Sequence, residues 1–319
     1  MDHNYKNWTN YSIFLSAEHT QKALKKAYEK ANIENADQKS FENCYPFIYY
    51  LEHAQTYYNQ AANSPILIQP ILLFYGFVHL IKACILTSQP SYPENSSVLA
   101  HGVSTRKRKK QQYHFFHDEV KIQKHGLFPF IAEKMFHMKH LEGEKASMGD
   151  LLKLIPELNH LFSSFDGKSL FIKLIRKDHS LCFSDIILDY FHMTEDRFID
   201  YYQTKTQIPV QFEKSPNSGL SINLNHQNAD DPAPLKYNLE ENNYYFPIYK
   251  NELIHYPEIL IHYLLLYNLS MIARYETEWW SELIKTMPNK DYPFISNFLN
   301  ISLNKGPFLI FQYLKKQLK

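Results

Sequence analysis

The segment from Ile259 to Ile272 is apolar at nearly every position, and this feature limits most strongly what the chain can fold into. It includes Leu260, Leu264 and Leu265. A helix that is apolar on all sides has to be surrounded by other elements. The sequence therefore predicts a buried central helix that begins after Pro257.

Other segments carry apolar residues at the 3.6-residue period of amphipathic helices. The spacing of Leu24, Tyr28 and Ala31 after Ser16, a suitable N-cap, is typical. The pattern predicts such helices after Ser16, from Pro46, from Pro70 to before Pro90, after Ser184, from Thr277 and from Pro307 to Leu318.

Between about residues 205 and 250 the pattern changes to short alternating segments with turn residues. Leu220, Ile222 and Leu224 alternate directly after a Pro-Asn-Ser-Gly turn sequence. The sequence thus predicts a mainly α protein: a multi-helix, bundle-like single domain over residues 1–319, with a small β-containing insertion at about 205–250.

The composition excludes several classes of protein. Lys and Arg number 34 against 33 Asp and Glu, and the eight glycines are not spaced as in a phosphate-binding loop or a dinucleotide fingerprint. Three dispersed cysteines form neither a disulfide framework nor a zinc knuckle. The apolar stretch Ile66–Leu86 contains Gln69, His79 and Lys82, which favours a buried helix over a membrane span. We predict a cytoplasmic protein without a cofactor.

Positive charge is concentrated in one place. Residues 100–145 hold ten Lys and Arg against five Asp and Glu, and Arg106, Lys107, Arg108, Lys109 and Lys110 are consecutive. We expect Arg106, Lys107, Lys109 and Lys110 to contact phosphate. Arg108 and His114 are the candidate catalytic pair for RNA: the guanidinium would hold a phosphate while the imidazole moves a proton of the attacking 2′-OH. A solvated basic loop is the structural alternative.

A second candidate site is a ligand pocket formed by His101, Arg274, Tyr275 and Trp279. Arg274 would bind an anion with its planar set of donors between aromatic walls, or else form a salt bridge with Glu276 or Glu278. The His-x-x-His pairs His114 with His117 and His137 with His140 lack the intervening Glu of helical zinc motifs, so no metal site is predicted.

Several of these short signals together resemble the YaaC-like family of bacterial proteins. They are the helix from Phe74-Tyr75-Gly76 to Lys82-Ala83, the His101-Gly102 turn, the Gly126-Leu127-Phe128 step, and the block from Leu269 to Glu276 followed by Trp279. The resemblance covers most of the chain and implies a bacterial cytosolic protein, without implying an activity. A fold-level likeness to HEPN-type helical domains implies an Arg-x(4 to 6)-His ribonuclease motif and dimers, and Arg108 with His114 meets that spacing.

Two functions follow from the sequence as hypotheses. The first is a helical protein that contacts RNA or nucleotide phosphates through the basic run, with ribonuclease activity at Arg108 and His114. The alternative is a non-enzymatic interaction or regulatory protein that uses its many aromatic residues as a partner surface or a homodimer interface.

Overall fold

The computed structural model describes residues 5, 7–105, 113–177, 180–184, 186–206, 212–215, 219–223, 235–249 and 252–318. Most of the described secondary structure is helical, which confirms the predicted fold class. The α-helices are Ala17–Lys30 (α1), Ala36–Ala62 (α2), Gln69–Leu86 (α3), Leu127–Phe136 (α4), Met148–Leu152 (α5), Asn159–Asp166 (α6), Ile186–Phe191 (α7), Glu195–Thr206 (α8), Glu258–Tyr275 (α9), Thr277–Thr286 (α10) and Asp291–Gln317 (α11).

The described strands are short and form three antiparallel sheets. They are Val103–Thr105 (β1), Glu119–Ile122 (β2), Lys145–Ser147 (β3), Phe171–Lys173 (β4), Ile175–Lys177 (β5), Ser180–Cys182 (β6), Phe212–Ser215 (β7), Gly219–Asn223 (β8), Lys236–Asn238 (β9) and Asn243–Pro247 (β10). The sheet orders are β1-β2-β3, β4-β10-β9 and β5-β6-β8-β7.

The chain divides into two compact units. Residues 2–149 and 259–319 form a helical unit, and residues 150–258 form a mixed unit with two of the sheets. The predicted β-containing insertion is confirmed by β7 to β10, but the strands of the mixed unit begin earlier, with β4 at Phe171. A single domain over residues 1–319 stays a prediction.

The core of the helical unit lies around α9, as the apolar run predicts. Leu260, Leu264, Leu265 and Leu266 are fully buried. Each buried leucine of this kind contributes about 1.5–3 kcal/mol of hydrophobic stabilisation. Because α9 is enclosed, the side chains that remain accessible near it are those of its last turn, where Arg274 lies.

Helices α2 and α3 form an antiparallel pair whose close contact depends on Gly76. A Cβ at Gly76 would lie 2.8 Å from Tyr58 Cδ2 and 3.0 Å from Tyr57 Cβ. Both distances are shorter than van der Waals contact, so only glycine lets the two backbones approach this closely. The residues of α2 and α3 that flank the contact are therefore held in a fixed register.

Three predicted helix boundaries were wrong. Pro46 and Pro307 lie inside α2 and α11 instead of starting helices. The long helix predicted after Ser184 is two helices, α7 and α8, because His192 takes a positive φ of 51° between them. Proline removes one backbone donor and bends a helix, but packing along both sides can hold the helix together across it.

One described helix, α3, is long and apolar enough by composition to cross a membrane, and most of it is buried inside the protein. This matches the behaviour of a core helix. Its polar residues Tyr75, His79 and Lys82 are half-buried and are spaced so that they share one face.

Candidate functional site

Two glycines hold the loop that presents His101. Gly102 has a φ of +76° and Gly126 a φ of +126°, and the two backbones lie against each other, so that a Cβ on Gly126 would overlap Gly102. The carbonyl of His101 accepts hydrogen bonds from the N–H of Phe128 at 3.1 Å and the hydroxyl of Tyr263 at 2.8 Å. The His101-Gly102 turn and the Gly126-Leu127-Phe128 step therefore belong to one backbone crossing that fixes the backbone of His101.

Positive charges from two separate helices act on His101, and the Lys82 ammonium lies 5.7 Å from the ring centroid of Tyr50. We call Lys82 of α3, His101 and Arg274 of α9 the cationic pocket. Burial is the largest cause that lowers the pKa of His101, and the positive charges of Arg274 and then Lys82 lower it further. Burial also lowers the pKa of Lys82. The three groups thus share a region of positive potential with restricted access of water.

Arg274 is oriented by neutral partners. Its Nη1 donates to Tyr75 Oη at 3.2 Å, and its Nε donates to the carbonyl oxygen of Ser270 at 3.1 Å. The guanidinium carbon lies 5.8 Å from the ring centroid of Tyr75 and 5.3 Å from that of Tyr275. These contacts place the guanidinium close to two aromatic rings, a favourable arrangement for a cation.

The cationic pocket contains no described counter-ion. Across the residues that the structure describes, no Asp or Glu side chain lies within ion-pair distance of Lys82 or Arg274. The salt bridge from Arg274 to Glu276 or Glu278, which the sequence left open, is thus not formed. Half-buried cations without an anion are costly to the fold, so the pocket is electrostatically suited to receive one.

Four ring side chains of α2 and α3 lead away from the pocket, and we call them the ring ladder: His53, Tyr57, Tyr75 and His79. The centroid of His79 lies 5.3 Å from that of His53 and 5.6 Å from that of Tyr57, and Tyr57 lies 6.3 Å from Tyr75. The angles between successive ring planes are 35°, 20° and 30°. The rings are therefore close to parallel, and Tyr75 joins them to Arg274.

His79 is held in its neutral form. Burial, then Lys82 and then His53 lower its pKa to about 4. Its Nδ1 atom is buried and has no hydrogen-bond partner. An unsatisfied buried nitrogen of this kind is uncommon. The ring ladder therefore contains one hydrogen-bonding atom, His79 Nδ1, that the fold leaves unused.

The candidate catalytic histidine lies elsewhere in the helical unit. His114 is about half exposed, and its Nδ1 lies 4.0 Å from Oδ2 of Asp291, a buried carboxylate at the start of α11. That oxygen also accepts a hydrogen bond of 2.9 Å from the N–H of Phe115. The arrangement places a negative charge behind an accessible imidazole.

The other predicted site residues divide into three groups. Arg106, Lys107, Arg108, Lys109 and Lys110 lie outside the described residues. Arg274 lies 5.3 Å from the ring centroid of Tyr275 and its charge acts on His101. The ring of Trp279 packs against Tyr113 at 4.5 Å and beside Trp280 at 6.4 Å.

The histidine pairs do not form a helical metal motif. His137 ends α4 with a φ of 56°, and His140 follows with a φ of 62°, so neither lies within a helix. Among the described residues, no group of three His, Cys, Asp or Glu side chains is placed to hold a metal ion.

Sequence reasoning did not combine Tyr57 and Tyr75 with the pocket. A signal was present, because Tyr75, His79 and Lys82 recur at i, i+4 and i+7 on an otherwise apolar helix. Polar residues confined to one face of a buried helix indicate either a solvated edge or a site. The packing of α2 and α9 against α3, which only the structure shows, distinguishes a solvated edge from a site.

The chain matches one known protein family. Residues 12–314 match the family model described as "YaaC-like Protein". No curated protein and no solved structure matches the chain.

Proposed function

We propose that this protein, which belongs to the YaaC-like family, binds a ligand with a phosphate group, from a nucleotide or from RNA, in the cationic pocket. The observation that carries the proposal is the pair Lys82 and Arg274, two half-buried cations without a described carboxylate partner.

Lys82 and Arg274 are both partly removed from water. Attraction between opposite charges is several-fold stronger near a protein surface than in bulk water. The planar guanidinium of Arg274 matches the geometry of two phosphate oxygens, while the ammonium of Lys82 acts as a point charge. A bound phosphate would therefore offset the desolvation of both cations.

His101 contributes to the same site. Burial, then Arg274 and then Lys82 lower the pKa of His101, so that the free imidazole is neutral at pH 7 and offers one donor. A bound anion would raise the pKa of His101 and favour the doubly donating form.

Inorganic phosphate is the simplest probe of the pocket. Titrating it against the full chain should raise the unfolding temperature with a saturable dependence. We expect Arg274→Gln and Lys82→Gln each to weaken this effect at least tenfold in apparent Kd, and the effect to decline as salt rises. Lys26→Gln, which removes the same charge from an exposed position on α1, is the matched control.

A result of no stabilisation by phosphate in the wild-type chain would contradict the proposal. So would equal stabilisation in the wild type and in a folded Arg274→Gln, Lys82→Gln double variant. Circular dichroism of each variant establishes that it is folded before the titration is interpreted.

A second candidate function is ribonuclease activity through Arg108 and His114. The half-exposed His114 ring, whose Nδ1 lies 3.5 Å from Asn289 Nδ2 and 4.0 Å from Asp291 Oδ2, favours it, because an accessible and positioned imidazole is the group that moves a proton in such a reaction. Arg108 itself lies outside the described residues.

The ribonuclease candidate is tested with labelled single-stranded RNA. If the chain cleaves it, Arg108→Ala and His114→Ala should each abolish cleavage. Cleavage that persists in either alanine variant would exclude this pair as the catalytic residues.

A further inference from the structure

We propose that the phosphate ligand of the cationic pocket also carries a nucleobase, and that the base stacks on the ring ladder beside the pocket. This inference rests on the proposed phosphate site and names the class of its ligand. The ladder and the pocket are continuous, because Tyr75 accepts a hydrogen bond from Arg274 Nη1 at 3.2 Å and its ring lies 6.2 Å from that of His101.

The ring ladder lies on a different face of α2 from the core. The core face carries Phe47, Leu51, Ala54 and Tyr58, all nearly or fully buried. His53 is exposed, and Tyr57 is half-buried. These rings thus belong to the outer side of the α2 and α3 contact, where part of their surface remains accessible to a ligand.

On α3 the same separation holds. Phe74, Phe77 and Leu80 are fully buried, whereas Tyr75 and His79 remain half-buried. Rings from two helices thus meet at an accessible surface, and the planes of successive rings lie within 35° of each other. A planar base could extend this series of near-parallel rings, and stacking of bases on aromatic side chains tolerates every base.

The residues around the ring ladder are better suited to bind the polar edge of a base than to bind a second phosphate. An open surface depression beside it is lined by His53 and Tyr57 together with the amide side chains of Gln55, Asn59 and Gln60. Amides offer both a donor and an acceptor to the polar edge of a base. Glu52 lines the same depression, and its charge would repel an anion there.

The charge distribution therefore orients the ligand. Positive charge at Lys82 and Arg274 attracts the phosphate, while the neutral rings and amides on the α2 side accept the base. Free nucleotides and the terminal nucleotide of an RNA chain share this chemistry.

The test compares apparent Kd values from thermal stabilisation for four probes: inorganic phosphate, adenosine, adenosine monophosphate and a short oligoadenylate. We expect adenosine monophosphate to bind roughly tenfold more tightly than phosphate, the fold-change that one stacked base supplies. Tighter binding of the oligoadenylate than of the monophosphate would identify RNA as the source of the nucleotide, and weaker binding a free nucleotide.

Variants of Tyr57 connect this gain to the ring ladder. In Tyr57→Leu the ratio of the phosphate Kd to the nucleotide Kd should fall to about one, whereas Tyr57→Phe should restore it, because the ring alone is needed for stacking. Tyr49→Leu is the matched control: Tyr49 is an exposed tyrosine of α2 whose ring contact is with Tyr45.

The outcomes separate the two proposals. If phosphate does not bind, the proposed function fails, and this inference fails with it. If phosphate binds but adenosine monophosphate binds no more tightly, or if a folded Tyr57→Leu keeps the full ratio, only the assignment of a nucleobase to the ring ladder is overturned.

Discussion

The backbone crossing of Gly102 and Gly126 should be the most sensitive point of the site outside the pocket itself, and Gly126→Ala tests it. Gly126 has a φ of +126° and a ψ of −179°, a conformation restricted essentially to glycine. An alanine Cβ there would overlap Gly102 and lie 2.9 Å from the carbonyl oxygen of Ala100.

Two penalties follow from this geometry. The backbone conformation costs a non-glycine residue about 1–3 kcal/mol. The overlap involves backbone atoms that cannot rotate away, and forced overpacking costs about 1–3 kcal/mol more. We therefore expect Gly126→Ala to lower the free energy of unfolding by roughly 2–6 kcal/mol.

Gly143→Ala is the matched control. Gly143 also has a positive φ, of +85°, but a Cβ there would meet nothing within 4 Å. Only the conformational penalty applies, about 1–2 kcal/mol. Urea denaturation at pH 7 measures both variants. Equal losses of stability would refute the reasoning, because they would show that the contact between the two glycine backbones carries no energy.

Three further outcomes are expected. As pH falls from 6.5 toward 4, the free energy of unfolding should decrease. The reason is that the folded chain lowers the pKa of His79 to about 4, so the unfolded chain binds more protons than the folded chain in this range. Urea midpoints measured across this range should decline less steeply in His79→Gln than in the wild type. Lys82→Met should raise the pKa of His79 in an NMR titration, because it removes a positive charge that lowers this pKa. Lys26→Met is the control and should leave the pKa of His79 unchanged. An unchanged pKa in Lys82→Met would contradict the assigned cause. Leu265→Ala in the core of α9 should cost about 2–5 kcal/mol in urea unfolding, and Leu99→Ala, at a side chain 55% exposed, no more than about 0.5 kcal/mol.

The periodicity of apolar residues in the sequence was sufficient to predict the helical architecture. Ser16 caps α1, with its hydroxyl oxygen accepting the N–H of His19, and the apolar run became the enclosed helix α9. These features depend on residues close in sequence, and local patterns report them directly. The boundaries at Pro46 and Pro307 were wrong because tertiary packing stabilises helices that continue through a proline.

Short strands of the helical unit were not predicted. Strands β1, β2 and β3 have only three or four residues each, too few to show alternation. Pairing between distant segments, such as Val103 with Ile122, determines them. Such pairing leaves almost no trace within either segment.

For the function, the sequence by itself identified the residues with chemical capacity, and the concentration of charge at Arg106 to Lys110 still predicts contact with phosphate there. RNA binding, a homodimer and a cytoplasmic location also stay predictions. Amino-acid identity determines whether a group can carry charge, stack or move a proton, and this is read from the chain without coordinates.

Only the tertiary structure decided which of these groups act together. Lys82, His101 and Arg274 come from distant parts of the chain, and the fold brings the two positive charges close enough to His101 to lower its pKa. Whether a cation has a counter-ion is a property of its surroundings in space. The absence of a described carboxylate beside Lys82 and Arg274, on which the proposed site depends, therefore became evident only in the folded chain.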